Sequence, residues 1–137
     1  DNGKKLRVLV VEDDDNLAQM LATLLESRGI ETVIAKTGKE AIRQSQEINP
    51  DLMILDLILP ECTGFDVVEW LQQHNRLCNI PLLVYSACDL NDTERTKLKL
   101  GHTEFLTKGR TTTQEFEQKV MELITRITQN RQSGNQE

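Results

Sequence analysis

Residues 51–66 read DLMILDLILPECTGFD. An apolar run is broken once, at Asp56, and then closes in the turn-like PECTG of residues 60–64. Short apolar runs bounded by turn residues become buried strands. A carboxylate in such a run is costly unless it is paired, hydrogen-bonded or bound to a metal. The stretch therefore predicts a buried strand over 51–55, with Asp56 at its rim and a partner for that charge close by.

Four more runs share this β-branched, apolar character: LRVLVV (6–11), ETVIA (31–35), IPLLVY (80–85) and TEFLT (103–107). Helix-length segments separate them. Leu17, Met20, Leu21, Leu24 and Leu25 fall on one helical face, which Gly29 closes. Thr37-x-x-Glu40 opens a second helix that stops before Asn49-Pro50. A third starts near Gly64, with Phe65, Val68 and Leu71 on one side, and a fifth follows Thr112-x-x-Glu115, with Phe116, Val120, Leu123 and Ile127 in helical register. The fourth, over roughly 91–100, opens with Asn91-x-x-Glu94 but offers only Leu98 and Leu100 to a core. It is expected to be the most weakly docked helix and the natural element to move.

Strands alternating with helices mean an α/β protein with a mostly parallel sheet covered on both faces. The handedness rule and short connections favour a doubly wound, flavodoxin-like (βα)5 fold of strand order 2-1-3-4-5. One domain is predicted over residues 5–130, and the polar residues 131–137 are expected to fray as a flexible tail.

Composition narrows the function. With 38% apolar and 28% charged residues the chain reads as soluble and globular. A net charge of −6 argues against nucleic-acid binding, which needs a basic surface. No apolar run approaches the ~20 residues of a membrane span, so no membrane contact is expected. Cys62, Cys78 and Cys88 show no metal or disulfide spacing, and a reducing cytoplasm is the expected compartment.

In a doubly wound sheet, ligands bind beyond the carboxyl ends of the strands. The strand ends carry Glu12-Asp13-Asp14-Asp15, Asp56, Ser86 and Lys108. Asp14 and Asp15 suit a helix N-terminus, and Asp13 fits either that role or a site. Glu12, Asp13 and Asp56 together would repel one another, a repulsion that a hard divalent ion relieves; oxygen ligands and water suit magnesium. The Ile58 backbone carbonyl is a further candidate ligand. A nucleophilic carboxylate, a metal pocket, a hydroxyl and an ammonium on one rim make a phosphoryl-transfer site, where positioning and charge neutralisation do most of the catalysis.

These residues resemble the bacterial response-regulator receiver domain. The likeness covers about residues 5–130 and rests on VLVVEDD, PDLMILDLILPECTG, LLVYSA and GHTEFLTKG, in that order and at the usual intervals. It implies that Asp56 is the phosphoacceptor, taking a phosphoryl group from a phosphohistidine of a histidine kinase or phosphotransfer protein. It implies that Glu12 and Asp13 bind Mg2+, that Ser86 bonds the attached phosphoryl group and that Lys108 contacts its oxygens. Phe105 corresponds to the aromatic that turns inward when the hydroxyl residue moves. Ile58 and Cys88 stand near the approach of hydrolytic water. The fourth helix, fifth strand and fifth helix would be the face that switches and the place for a homodimer. The protein is then a signalling module and not an enzyme in the usual sense. GHTEFLTKG looks more like receivers attached to hybrid sensor kinases than like those fused to DNA-binding domains.

Three departures stand out. Gly109 follows the lysine where the family usually has a proline, whose bond is usually cis; Phe105 replaces the commoner tyrosine; Ser86 replaces the commoner threonine. Gly109 motivates an alternative, a receiver-fold interaction module without phosphotransfer. Two enzyme classes fit poorly. An aspartate-nucleophile phosphatase needs Asp-x-Asp, but Leu57 and Ile58 follow Asp56, and no G-x-G-x-x-G follows the first strand. His74 and His102 lie in polar contexts and read as surface residues.

Overall fold

The computed structural model describes residues 5–135, with side chains described through residue 131. Its elements alternate strictly: β1 (Arg7–Val11), α1 (Asp15–Glu26), β2 (Glu31–Ala35), α2 (Gly38–Ile48), β3 (Leu52–Leu55), α3 (Gly64–Gln72), β4 (Leu82–Ser86), α4 (Asp92–Lys97), β5 (Thr103–Thr107) and α5 (Thr113–Asn135). The five strands form one sheet of order β2-β1-β3-β4-β5, and every pairing is parallel.

Side-chain alternation divides the core in two. Leu9, Val11, Met53, Leu55, Leu82 and Val84 point to one face, under α2 and α3. Val8, Val10, Leu52, Ile54 and Leu83 point to the other, under α1 and α5. The register is thereby fixed, because a slip of one residue would exchange the two faces.

Local chemistry sets the helix boundaries. Asp14 caps α1 by accepting the Leu17 amide, and Thr37 caps α2 by accepting the Glu40 amide. The Glu40 carboxylate returns not to Thr37 but to the Lys36 amide, 2.7 Å away, so the box at Thr37 is half formed. Reciprocal boxes close at Thr63/Asp66, Asn91/Glu94 and Thr112/Glu115.

Helix α4 is six residues long, none of them buried, so it is shorter than the 91–100 segment suggests. Leu98 at its C-cap is fully buried and anchors it. One buried leucine contributes about 2 kcal/mol, whereas α1 buries Ala18, Leu21, Ala22 and Leu25. Two further contacts hold α4. Gln72 Nε2 donates to the carbonyls of Lys97 (3.2 Å) and Lys99 (2.8 Å), and the Arg95 guanidinium lies 4.9 Å from the centroid of the Phe105 ring.

Helix α5 continues to Asn135, past the boundary at 130 that the polar composition suggests. Arg131 pairs there with Asp51, which also accepts the Arg7 amide at 2.8 Å, so the helix is tied to the amino-terminal edge of the sheet. Residues 136 and 137 of the expected tail lie outside the described residues.

Candidate functional site

Strands β1 and β3 are neighbours, but the chain leaves β1 through α1 towards β2 and leaves β3 through α3 towards β4, in opposite directions along the sheet. That reversal opens a crevice at their carboxyl ends. Glu12 and Asp13 follow β1, Asp56 follows β3, and carboxylate oxygens of all three lie within 4.8 Å of one another. Glu12 is 2% exposed and Asp56 6%, while Asp13 faces solvent. Asp56 stands at the rim of the strand, as its place in the run suggests, yet it is buried.

Lysine 108 supplies the opposite charge. Its Nζ donates to Glu12 Oε1 at 2.6 Å and to Asp56 Oδ2 at 2.9 Å. The Lys108 amide donates to the Ser86 carbonyl at 2.9 Å, prolonging the β4–β5 ladder by one step and aiming the side chain back over the crevice. Gly109 then turns the chain with φ +82, and no cis peptide bond occurs among the described residues.

The electrostatics follow the burial. Desolvation pushes the Glu12 carboxyl above its ordinary range and the charge of Asp56 adds to this, against the hydrogen bonds from Lys108 and from the Asp14 amide. For Lys108, burial is the largest single influence and lowers the ammonium's pKa. The hydrogen bonds and charges of Glu12 and Asp56 outweigh it together, and the net direction is upward. The ammonium therefore stays charged, and two buried carboxylates share one cation.

Asp56 Oδ1 accepts the Ile58 amide at 3.2 Å, which fixes the carboxylate's rotation. The Ile58 side chain is 61% exposed beside it. Behind the carboxylate the loop returns tightly. The Gly64 amide donates to the Leu57 carbonyl at 3.0 Å, and a Cβ on Gly64 would lie 2.8 Å from the Asp56 carbonyl and from Leu57 Cα. No side chain fits there without moving the backbone that carries Asp56.

Ser86, at the end of β4, is buried, and its Oγ accepts the Cys88 amide at 3.4 Å. Phe105 lies on β5, half-buried against the α2–α3 side of the core, with Arg95 over its ring. The fold thus brings Glu12, Asp13, Asp56 and Lys108 into direct reach of one another. Ser86 and Phe105 stand on the two adjoining strands.

Tyrosine 85 was visible in the sequence only as one more apolar strand residue. Its ring packs on Phe116 (centroids 4.8 Å apart, 44° between planes), and Lys108 Nζ lies 5.8 Å from its centroid. Burial pushes the Tyr85 hydroxyl above its ordinary value, so the phenol is neutral and meets the ammonium with its ring.

Comparison with known proteins agrees with this architecture. The family model described as the response regulator receiver domain matches residues 8–128. The polar-differentiation response regulator DivK of Brucella ovis is 31% identical over 101 residues, covering 74% of this chain and 82% of its own. Among solved structures, the receiver domain of a putative LuxO repressor protein from Vibrio parahaemolyticus superposes with a TM-score of 0.82 at 26% identity, covering 95% of this chain and 98% of its own. The receiver domain of the sensor histidine kinase PA1611 from Pseudomonas aeruginosa PAO1, solved with a magnesium ion in its active site cleft, gives a TM-score of 0.74 over 90% of this chain and 97% of its own. At 19% identity that likeness concerns the fold alone.

A five-stranded doubly wound domain with an acidic cluster at its switch point is thus the class that fold and site define. Within that class, the chain belongs to the response regulator receiver domain family, whose members act in two-component signalling. No helix among the described residues is long and apolar enough to cross a membrane.

Proposed function

We propose that this domain is a phosphoacceptor, with Asp56 taking a phosphoryl group from a phosphohistidine of a histidine kinase or phosphotransfer protein. One observation carries this: Lys108 Nζ bonds both Glu12 and Asp56 beside the exposed carboxylate of Asp13. A carboxylate nucleophile, an ammonium and an acidic cation pocket converge on one crevice.

An Asp56 carboxylate oxygen attacks phosphorus, the N–P bond of the donor breaks, and its electron pair leaves on the imidazole. The Ile58 amide holds the carboxylate's orientation, and Lys108 neutralises charge on the transferring oxygens. The mutual repulsion of Glu12 and Asp56, and the solvent access at Asp13, suit a hard cation that keeps some of its water. Glu12, Asp13, Asp56 and the Ile58 carbonyl are the ligands proposed for Mg2+, the ion that the Pseudomonas neighbour holds in its cleft. Bound there, magnesium supplies positive charge to the phosphoryl oxygens.

The attached group carries a charge near −2 and strong acceptors where a carboxylate stood. The Ser86 hydroxyl then has a stronger partner than the 3.4 Å contact it makes with the Cys88 amide. Its movement draws on the loop before α4, the helix with least packing, and Phe105 follows. The α4-β5-α5 face is the proposed output surface and the place where two copies would pair, in a cytoplasmic protein.

Titration with beryllofluoride and magnesium, followed by amide NMR, tests this. Shifts at Asp56, Ser86, Phe105 and α4 that vanish in Asp56→Asn are expected. Absence of any response would leave a receiver-shaped docking module without phosphotransfer.

A further inference from the structure

Tyr85 borders the site but takes no part in the chemistry above. Its register partner on β5 is Leu106. Side chains alternate along a strand, so Lys108 continues on the same side of the sheet as Leu106 and Tyr85. Phe116, on α5 and almost fully buried, backs the ring. The ring therefore offers a fixed face, and Lys108 Nζ lies within cation–π range of it at 5.8 Å.

The turn after Lys108 fixes the backbone but not the far end of the side chain. At Gly109, φ is +82 and a Cβ would meet nothing within 4 Å. Backbone bonds hold the main chain of that turn, from the Lys108 amide to the Ser86 carbonyl at 2.9 Å and from the Arg110 amide to the Thr107 carbonyl at 3.2 Å, but they do not reach the far end of the lysine stem, so the ammonium has to be held from its own end. Glu12 and Asp56 do this in part, but Asp56 is the group that changes when a phosphoryl group arrives. The Tyr85 ring does not change with it.

We propose that Tyr85 is a positioning residue for Lys108: its ring, backed by Phe116, keeps the ammonium over Asp56 at the far end of a side chain that the turn fixes only at its backbone. The consequence for phosphoryl transfer rests on the function proposed above, whereas the contact itself does not.

Two readouts test the two parts. Trace acylation with an amine-reactive reagent, read at Lys108 by peptide mass spectrometry, reports how firmly the ammonium is held and needs no phosphoryl chemistry. Tyr85→Leu should raise Lys108 reactivity about two- to fivefold, the range of a partly exposed cation–π contact. Tyr85→Phe, which keeps the ring, should react like the parent. Leu123→Ala loosens the same core without touching Lys108 and should leave its reactivity alone. Equal reactivity in Tyr85→Leu and the parent, or an equal rise in Leu123→Ala, overturns the positioning role.

The second readout is labelling by acetyl phosphate. Tyr85→Leu should lower the rate at saturating donor by a similar factor, without shifting the half-saturating concentration. Tyr85→Phe should restore it, and Tyr85→Leu should add nothing in a Lys108→Ala background. Raised Lys108 reactivity with an unchanged transfer rate overturns the link to transfer. A parent protein that takes no label overturns the proposed phosphoacceptor function instead, and Lys108 acylation still decides the role of Tyr85.

Discussion

Lys108 reaches Asp56 across 52 residues of sequence, its Nζ lying 2.9 Å from Oδ2. The same ammonium lies 2.6 Å from Glu12 Oε1. Two buried carboxylates therefore depend on one lysine, and the balance is asymmetric. Removing the cation leaves two like charges facing each other, out of water.

Lys108→Met is accordingly expected to cost about 3 kcal/mol in divalent-free buffer, the low end for breaking a buried pair. Urea denaturation measures it. On the proposed function, saturating magnesium should recover part of the loss, because a cation held by the folded cluster and not by the unfolded chain favours the folded state. A variant as stable as the parent without magnesium would show that Glu12 and Asp56 do not need the lysine.

Gly64→Ala is predicted to act on Asp56 through the backbone. The new Cβ would sit 2.8 Å from the Asp56 carbonyl and from Leu57 Cα, so the loop must shift. Overpacking of this kind costs about 1–3 kcal/mol, and the Asp56 and Ile58 amide resonances should move with it. Gly109→Pro should also destabilise, by more than about 1 kcal/mol, because φ is +82 there and proline requires a negative value. Unchanged denaturation midpoints in both variants would refute this account of the two turns.

Much of this was legible in the sequence. Five β-branched runs separated by capped amphipathic segments admit few topologies, and the carboxyl ends of the strands then name Glu12, Asp56, Ser86 and Lys108 together. Side-chain reach was less visible. Repulsion among carboxylates pointed to a cation for Asp56, whereas the structure brings the Lys108 ammonium itself into contact. Tyr85 and Phe116 both carry apolar strand and helix patterns, so nothing in periodicity shows that their packed rings border a lysine. Arg95 over Phe105 is hidden for a similar reason: it joins two elements through a side chain that composition classes as surface. The reach of α5 to Asn135 was not legible because residues 131–135, RQSGN, carry no apolar periodicity, while the Arg131–Asp51 pair that ties the helix there is long-range.

Weak docking of α4 gives a further prediction. Leu98, the Gln72 bonds and the Arg95–Phe105 contact hold it, and no residue of the helix itself is buried. Arg95→Ala should change global stability by no more than about 1 kcal/mol yet speed hydrogen exchange across residues 92–98. Gln72→Ala should do the same from the other end. Exchange at α1 should be unaffected in both. Uniform acceleration over all helices would mean that α4 opens only with the whole domain.

The network on β5 and α5 predicts a pH dependence of stability. Lys119 Nζ donates to Glu104 Oε1 at 2.8 Å, and His102 Nε2 lies 2.7 Å from Oε2. The Lys119 hydrogen bond, then that of His102, holds the Glu104 carboxyl below its ordinary value, while Glu104 first of all raises Lys119. A carboxyl depressed in the folded state contributes stability that is complete above its unfolded value, ~4.3, and is lost as pH falls through the lower folded value. A raised lysine contributes fully below ~10.4 and loses its part as pH rises through the higher folded value. Both describe one ion pair, so the contribution is a single plateau between these limits. The side chains are 28% and 29% exposed, and solvent screening keeps the plateau at about 0.5–1 kcal/mol. Glu104→Gln should therefore be less stable than the parent by that amount at neutrality, and the difference should shrink as pH falls below ~4.3 and through the lower folded value. Urea denaturation of both proteins across that range measures it; a difference independent of pH would mean that Glu104 acts by packing and not by charge.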